Sequence, residues 1–181
     1  MIDATVDVLR QKKLILYPTD TVWGIGGDAT DPKVVEKVYR LKRREDHKAL
    51  IVLVAHKDML ESYVDSFPEE AIPFLEDHRP TTVIYPKGVG LATNLLGEDF
   101  SIGIRIPKHS FCQKVIEQFG KPIISTSANI SGEPTPHSFE QIASDILEGV
   151  DYIVPLRETS TNQPSRVVKI DSKGAIHILR P

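Results

Sequence analysis

Cysteine is almost missing from this chain. Of 181 residues only Cys112 carries a thiol, which rules out an internal disulfide and any cysteine-rich metal cluster. The six histidines show no HxxxH or HExxH spacing, so the familiar zinc-binding helices are absent as well. No apolar run approaches the roughly 20 residues that a membrane span requires. The N-terminus lacks the basic, apolar and small-residue order of a signal peptide, so a reducing, cytoplasmic setting without membrane contact is expected. An excess of positive charge is lacking too: 22 lysines and arginines face 25 acids, a net charge of -3, which disfavours a protein that coats nucleic acid. Neither a GxxxxGK[ST] phosphate loop nor a GxSxG nucleophile elbow occurs, which excludes a conventional NTPase or α/β-hydrolase.

What remains is an ordinary globular composition, 40% apolar and 26% charged with a mean hydropathy of -0.17. The length suits one domain over residues 1–181, since domains cluster at roughly 100 to 200 residues. Short apolar segments rich in β-branched residues, at 14–17, 50–55, 82–85, 102–106, 122–125, 152–154, 167–170 and 176–179, alternate with helical patterns. The latter fall at 4–11, 32–41, 58–64, 69–75, 111–119 and 139–147. That alternation predicts an α/β layer structure, a twisted, mixed and largely parallel open sheet with flanking helices. After Asp151 the helical pattern stops, and the last three strand candidates are expected to add antiparallel strands. Asp31 followed by Pro32 supplies the clearest helix start, with Val34, Val35, Val38 and Leu41 on one face.

Three segments could carry chemistry. Lys37 through Lys48 places six lysines and arginines against Glu45 and Asp46, a local +4 that leaves -7 on the remainder. Such a cluster suits a compact polyphosphate, although cations at a helix C-terminus also complement the macrodipole. The second segment, Ser125 to Gly132, packs hydroxyls, an amide and a glycine directly after an apolar strand, where α/β sheets tend to bind ligands. Turn-forming residues of the same kinds would read as an ordinary loop. The third, Pro18 to Ala29, contains a GxGxxA match at Gly24, Gly26 and Ala29. It is not a dinucleotide site, because Asp31 and Pro32 start the helix only after the motif has ended, whereas the pyrophosphate needs the helix N-terminus within it. These glycines instead allow close backbone approach or positive φ. Thr19 and Thr21 alternate as in a strand and are expected to share one face toward a pocket. Cys112 with His109 resembles a nucleophile and base, but Cys112 lies on the apolar face of a helix and reads as a small core residue.

Together these segments resemble the YrdC family of threonylcarbamoyl-AMP synthases, also called TsaC, in its short single-domain form. The resemblance rests on PTDT at Pro18 to Thr21 with the glycine turn to Gly27, KxR at Lys42 and Arg44 with Lys48 beyond, and RIP at Arg105 to Pro107. It continues with SAN at Ser127 to Asn129 leading to Thr135, the Pro164 and Ser165 pair, and Arg180 in a terminal ILRP. It implies a nucleotidyltransferase that joins L-threonine, bicarbonate and ATP into threonylcarbamoyl-AMP and pyrophosphate. A tRNA threonylcarbamoyl-transferase complex would then accept the product. By the same resemblance Lys42, Arg44 and Lys48 hold the ATP phosphates with Thr82, Ser127, Thr135 and Arg180, and Asn129 anchors the SAN loop or a phosphate. Lys42, Arg44, Ser127 and Asn129 would form the catalytic set, while Thr21, Ser125 and Ser165, with Arg105, would take threonine. Magnesium is expected on the triphosphate, with no metal cage of the protein's own. The chain departs from the family pattern at Trp23, at 79–82, at Leu53 and at Arg166, and its end at Pro181 suggests that the longer members' extra domain is lacking. The alternatives are a non-enzymatic module that binds double-stranded RNA or tRNA, and a YrdC-like paralogue with another carbamoyl or adenylate substrate.

Overall fold

The computed structural model describes residues 1–44, 50–156 and 161–181. Its helices are α1 (Ile2–Arg10), α2 (Pro32–Lys42), α3 (Lys57–Glu61), α4 (Ile72–Glu76), α5 (Ser110–Phe119) and α6 (Ser144–Gly149). The strands are β1 (Ile15–Tyr17), β2 (Gly24–Gly26), β3 (Ile51–Leu53), β4 (Thr81–Tyr85), β5 (Ile102–Arg105), β6 (Ile123–Ser127), β7 (Tyr152–Ile153), β8 (Arg166–Ile170) and β9 (Ile176–Arg180). They form one sheet in the order β7-β1-β2-β6-β3-β5-β4-β8-β9.

Side chains alternate across this sheet and so divide the core into two layers. Leu14, Leu16, Val52, Val54 and Ile124 point to the face where Val34, Val35, Val38 and Tyr39 of α2 pack, together with Ile146 of α6. Ile15, Tyr17, Leu53 and Ile123 point to the opposite face, under Val6 and Leu9 of α1 and Phe111, Cys112, Val115 and Ile116 of α5. The expected start of α2 is present: Asp31 accepts a hydrogen bond from the Lys33 amide at 2.9 Å and Pro32 opens the first turn. Cys112 is a buried core thiol, and the His109 ring caps α5 by accepting from the Cys112 amide.

The mixed α/β sheet is as expected, but its pairing does not lean parallel. Among the described residues five of the eight strand pairings are antiparallel. Short links such as 18–23 between β1 and β2 are too brief for a crossover and force the chain to double back. The end of the chain also differs, since β7 pairs parallel to β1 and β8 parallel to β4, and only β9 is antiparallel to its neighbour. Strand β2 has no signature in the sequence because two of its three residues are glycine. The pattern at 139–147 breaks into a 3-10 turn at Phe139–Gln141 and then α6. Ile142 and Ala143 are extended between them, and this sends Ile142 into the core while Phe139 tilts against Trp23 at 5.2 Å.

Candidate functional site

On β6 the residues that share a face with buried Ile123 are Ser125 and Ser127. As the strand runs out from the layer covered by α1 and α5, apolar side chains give way to hydroxyls. There a cleft of about 210 Å³ opens, lined by Thr19, Thr21, Ser125, Ser127, Thr135 and Ser165, by backbone at Gly24, and by Arg44, Arg105 and Arg180. Leu50 and Ile51 form its apolar wall, with Val22, Thr126 and Pro164 completing the rim. Among the described residues that line it there is no carboxylate, no cysteine and no histidine.

The glycines of β2 make this approach possible. A Cβ at Gly26 would stand 2.7 Å from Tyr17 Cε1 and 3.2 Å from the Ile124 carbonyl oxygen, so only glycine lets the Tyr17 ring lie across the sheet here. The backbone before it is tied by a directed hydroxyl chain. Thr19 Oγ1 donates to the Val22 carbonyl at 2.7 Å. Its single proton is thereby spent, so in the 3.0 Å contact between the two threonines it is Thr21 that donates. Thr21 Oγ1 in turn accepts from Arg105 Nη2 at 3.3 Å. To a ligand in the cleft, Thr21 therefore offers a lone pair.

Arg105 is 2% exposed and forms a buried ion pair with Asp20, whose second oxygen accepts the Lys108 amide at 3.0 Å. A charge this deeply buried requires such a partner. Arg180 donates through Nε to the Ser165 carbonyl at 2.8 Å, and Ser165 Oγ shares a 2.8 Å hydrogen bond with Thr82 Oγ1. A register shift sets Arg180, instead of Leu179, opposite Val167 of β8, and the bulge aims the guanidinium at the cleft. Burial holds the Arg44 guanidinium below its usual range. Arg180 is lowered by burial and then by the nearby Arg105.

Of the residues singled out from the sequence, Thr21, Arg44, Arg105, Ser125, Ser127, Thr135, Ser165 and Arg180 stand around one cavity, and Thr19 joins them. Three others stand behind its wall. Lys42 is 2% exposed, with Nζ donating to the Ser127 and Asn129 carbonyls at 2.5 and 2.6 Å. Burial, then the charge of Arg44, lowers its ammonium to about 7. Thr82 is fully buried beneath Ser165. Asn129 turns its amide back to the Ile130 and Glu133 carbonyls at 3.0 and 2.9 Å. Lys48 lies outside the described residues, as does part of the irregular stretch 155–164. Arg166 points elsewhere: it pairs with Asp77 at 2.6 Å and lies over the Phe74 ring. Asp20, the counter-ion of Arg105, is the residue at the cleft's edge that sequence reasoning passed over. Its only sign is an acid between two threonines, and nothing local links it to an arginine 85 residues away. Among the described residues no group of three or more His, Cys, Asp or Glu side chains could hold a metal, and no helix is long and apolar enough to cross a membrane.

A family model, Sua5/YciO/YrdC, described as "Telomere recombination", matches residues 7–181. The threonylcarbamoyl-AMP synthase of Pyrococcus abyssi is 31% identical over 175 residues, 96% of this chain and 51% of its own. The synthase of Photobacterium profundum is 32% identical over 166 residues, 90% of each chain. P. abyssi Sua5 complexed with L-threonine shares the fold with a TM-score of 0.91 at 31% identity, over 99% of this chain and 53% of that one. E. coli YciO, at 24% identity and a TM-score of 0.82, shows the fold alone, covering 99% of this chain and 87% of that one. The chain thus spans about half the length of the P. abyssi relative and most of the length of the P. profundum one.

Proposed function

The chain belongs to the Sua5/YciO/YrdC family, and on that premise we propose that it is an L-threonylcarbamoyl-AMP synthase. The observation that carries the reading is the donor set of the cleft: three guanidiniums and a ring of hydroxyls, with no carboxylate or nucleophile among the described lining residues. Such a set suits a reaction between two anions. The threonine amine and bicarbonate form a carbamate with loss of water. A carbamate oxygen attacks the α-phosphorus of ATP, and the bond to the β-phosphate bridging oxygen breaks to release pyrophosphate. No covalent intermediate on the protein is needed. What the chain supplies is proximity and donors aimed at the charge that builds on the phosphate.

In this reading Arg44, Ser127, Thr135 and Arg180 receive the triphosphate; Lys48 is assigned to the phosphates by the family resemblance alone. Thr21, Ser125 and Ser165 receive threonine. The lone pair on Thr21 suits the N–H of the amino acid, and Arg105, held by Asp20, fixes Thr21 in that sense. Thr82 supports Ser165, and Asn129 shapes the loop that carries Ser127. Magnesium, if carried, arrives on the triphosphate as part of the substrate, since the described cleft lining offers it no carboxylate. The product passes to a tRNA-modifying transferase complex in the cytoplasm, where ATP and threonine are plentiful.

The test is pyrophosphate release from ATP and bicarbonate with each amino acid in turn. Release that depends on threonine is expected. Equal release without threonine, or none under any condition alongside salt-sensitive RNA binding, overturns the proposal.

A further inference from the structure

We propose that Lys42 is a positioning residue that staples the end of α2 to the loop at 127–131 and so sets Arg44 and Ser127 relative to each other. The inference rests on the synthase reading for what the two groups act upon, but its geometry is independent of that reading. Lys42 is the last residue of α2 and is tied to the loop from both ends. Its own carbonyl accepts the Ser131 amide at 2.8 Å. Its Nζ bridges the Ser127 carbonyl at 2.5 Å and the Asn129 carbonyl at 2.6 Å. The Asn129 amide also donates to the Ser127 carbonyl at 2.9 Å, which closes a three-residue turn, so the ammonium clamps the two ends of that turn.

A nitrogen that bridges two carbonyls commits two of its protons to protein oxygens, so Nζ has at most one left for a ligand. Immediately beyond Lys42 the backbone turns left-handed at Arg43, with φ 51° and ψ 42°, and this directs Arg44 toward the cleft. On the other side of the staple Ser127 and, farther along the loop, Thr135 reach the same cleft. Val34, Val35, Val38 and Tyr39 seat α2 on the sheet, so the helix is the rigid member and the loop is what it holds. Loops of small polar residues open locally unless something ties them down.

The experiment compares wild type with Lys42→Met and Lys42→Gln on two readouts: amide hydrogen exchange in the ligand-free protein, and the kcat and KM of threonine-dependent pyrophosphate release. In Lys42→Met we expect exchange at 127–131 to rise at least about tenfold while α1 and α5 stay protected. We also expect kcat to fall about 100-fold, a loss typical of misplaced reacting groups. Lys42→Gln, which keeps two N–H donors on a shorter stem, is expected to lie between. A direct phosphate contact would leave ligand-free exchange unchanged and raise the KM for ATP, and that result overturns the proposal. So does faster exchange with unchanged kcat, and so does failure of both variants to fold, which would assign Lys42 to the core. If wild type itself shows no threonine-dependent release, the synthase reading fails, and with it the consequence for turnover, while the exchange result still reports on the staple.

Discussion

Replacing Asp20 by Ala removes the carboxylate that faces Arg105 and leaves a guanidinium whose side chain is only 2% exposed without its counter-charge. It also strips the Lys108 amide of its acceptor. The guanidinium's other partner among the described residues, Thr21 Oγ1 at 3.3 Å, is neutral. Breaking one side of a buried ion pair costs about 3–5 kcal/mol, much more than the net worth of the intact pair, because the orphaned charge keeps its full desolvation penalty. For a domain of this size that lowers Tm by roughly 6–20 °C. Urea unfolding followed by circular dichroism gives the free energy, with m expected to stay constant. The double variant Asp20→Leu with Arg105→Met removes both charges at similar volume and is expected to recover most of the stability, but not pyrophosphate release, because Thr21 loses the Arg105 contact that orients it. A loss below about 1 kcal/mol in Asp20→Ala, or a double variant as unstable as the single one, refutes the account of Arg105 as a buried charge that depends on Asp20.

Three further outcomes follow from the same geometry. Arg180→Ala is expected to reduce pyrophosphate release by about 10²–10³-fold, the scale of one lost transition-state donor. Its melting temperature should change little, because β9 is an exposed strand; unchanged turnover would remove Arg180 from the site. Gly26→Ala forces a methyl group against the buried Tyr17 ring, an overpacking cost of about 1–3 kcal/mol in chemical denaturation. Gly24→Ala, whose Cβ would rest at an ordinary 3.4 Å from the same ring, is expected to cost far less, and equal losses would refute the close-approach argument. The Asp99 carboxyl is held down to about 2 by the Ser101 hydroxyl first and Lys169 next. A depressed carboxylate stabilises the fold above its unfolded value near 3.9 and loses that contribution as pH falls toward 2. Asp99→Asn is therefore expected to be less stable than wild type at pH 7, with the gap closing between about pH 4 and pH 2. Salt should narrow the gap at neutral pH, since Asp99 is half exposed, and a gap that stays constant as pH falls contradicts the assignment.

The parts of the fold legible in the sequence were those built from local patterning. Asp31 and Pro32 announce α2, and their position after Gly24 to Ala29 was enough to reject a dinucleotide site. Strand β2 was illegible because glycine has no side chain to declare an extended conformation; it becomes a strand by pairing between β1 and β6, and its glycines leave room for the Tyr17 ring. Phe139 to Leu147 looked continuous by periodicity, yet burial of Ile142 between α6 and the preceding turn outweighed helical propensity.

The site divides in the same way. The sequence alone determined which residue types were available: hydroxyls after an apolar strand, cations after a helix, and no nucleophile or metal ligand set. It also determined their order along the chain, and chemical type and order were sufficient for the resemblance. Which of these groups face the ligand was decided by tertiary structure alone. Lys42 and Arg44 are two residues apart in one motif, yet a left-handed turn at Arg43 sends one side chain behind the wall and the other into the cleft. Asp20 and Arg105, or Ser165 and Arg180, meet only through the sheet, and one inserted residue in β9 sets the aim of Arg180. The physical reason is range: capping, turns and periodicity act within a few residues, whereas charge pairing and the choice of sheet face depend on contacts that exist only once the chain has folded.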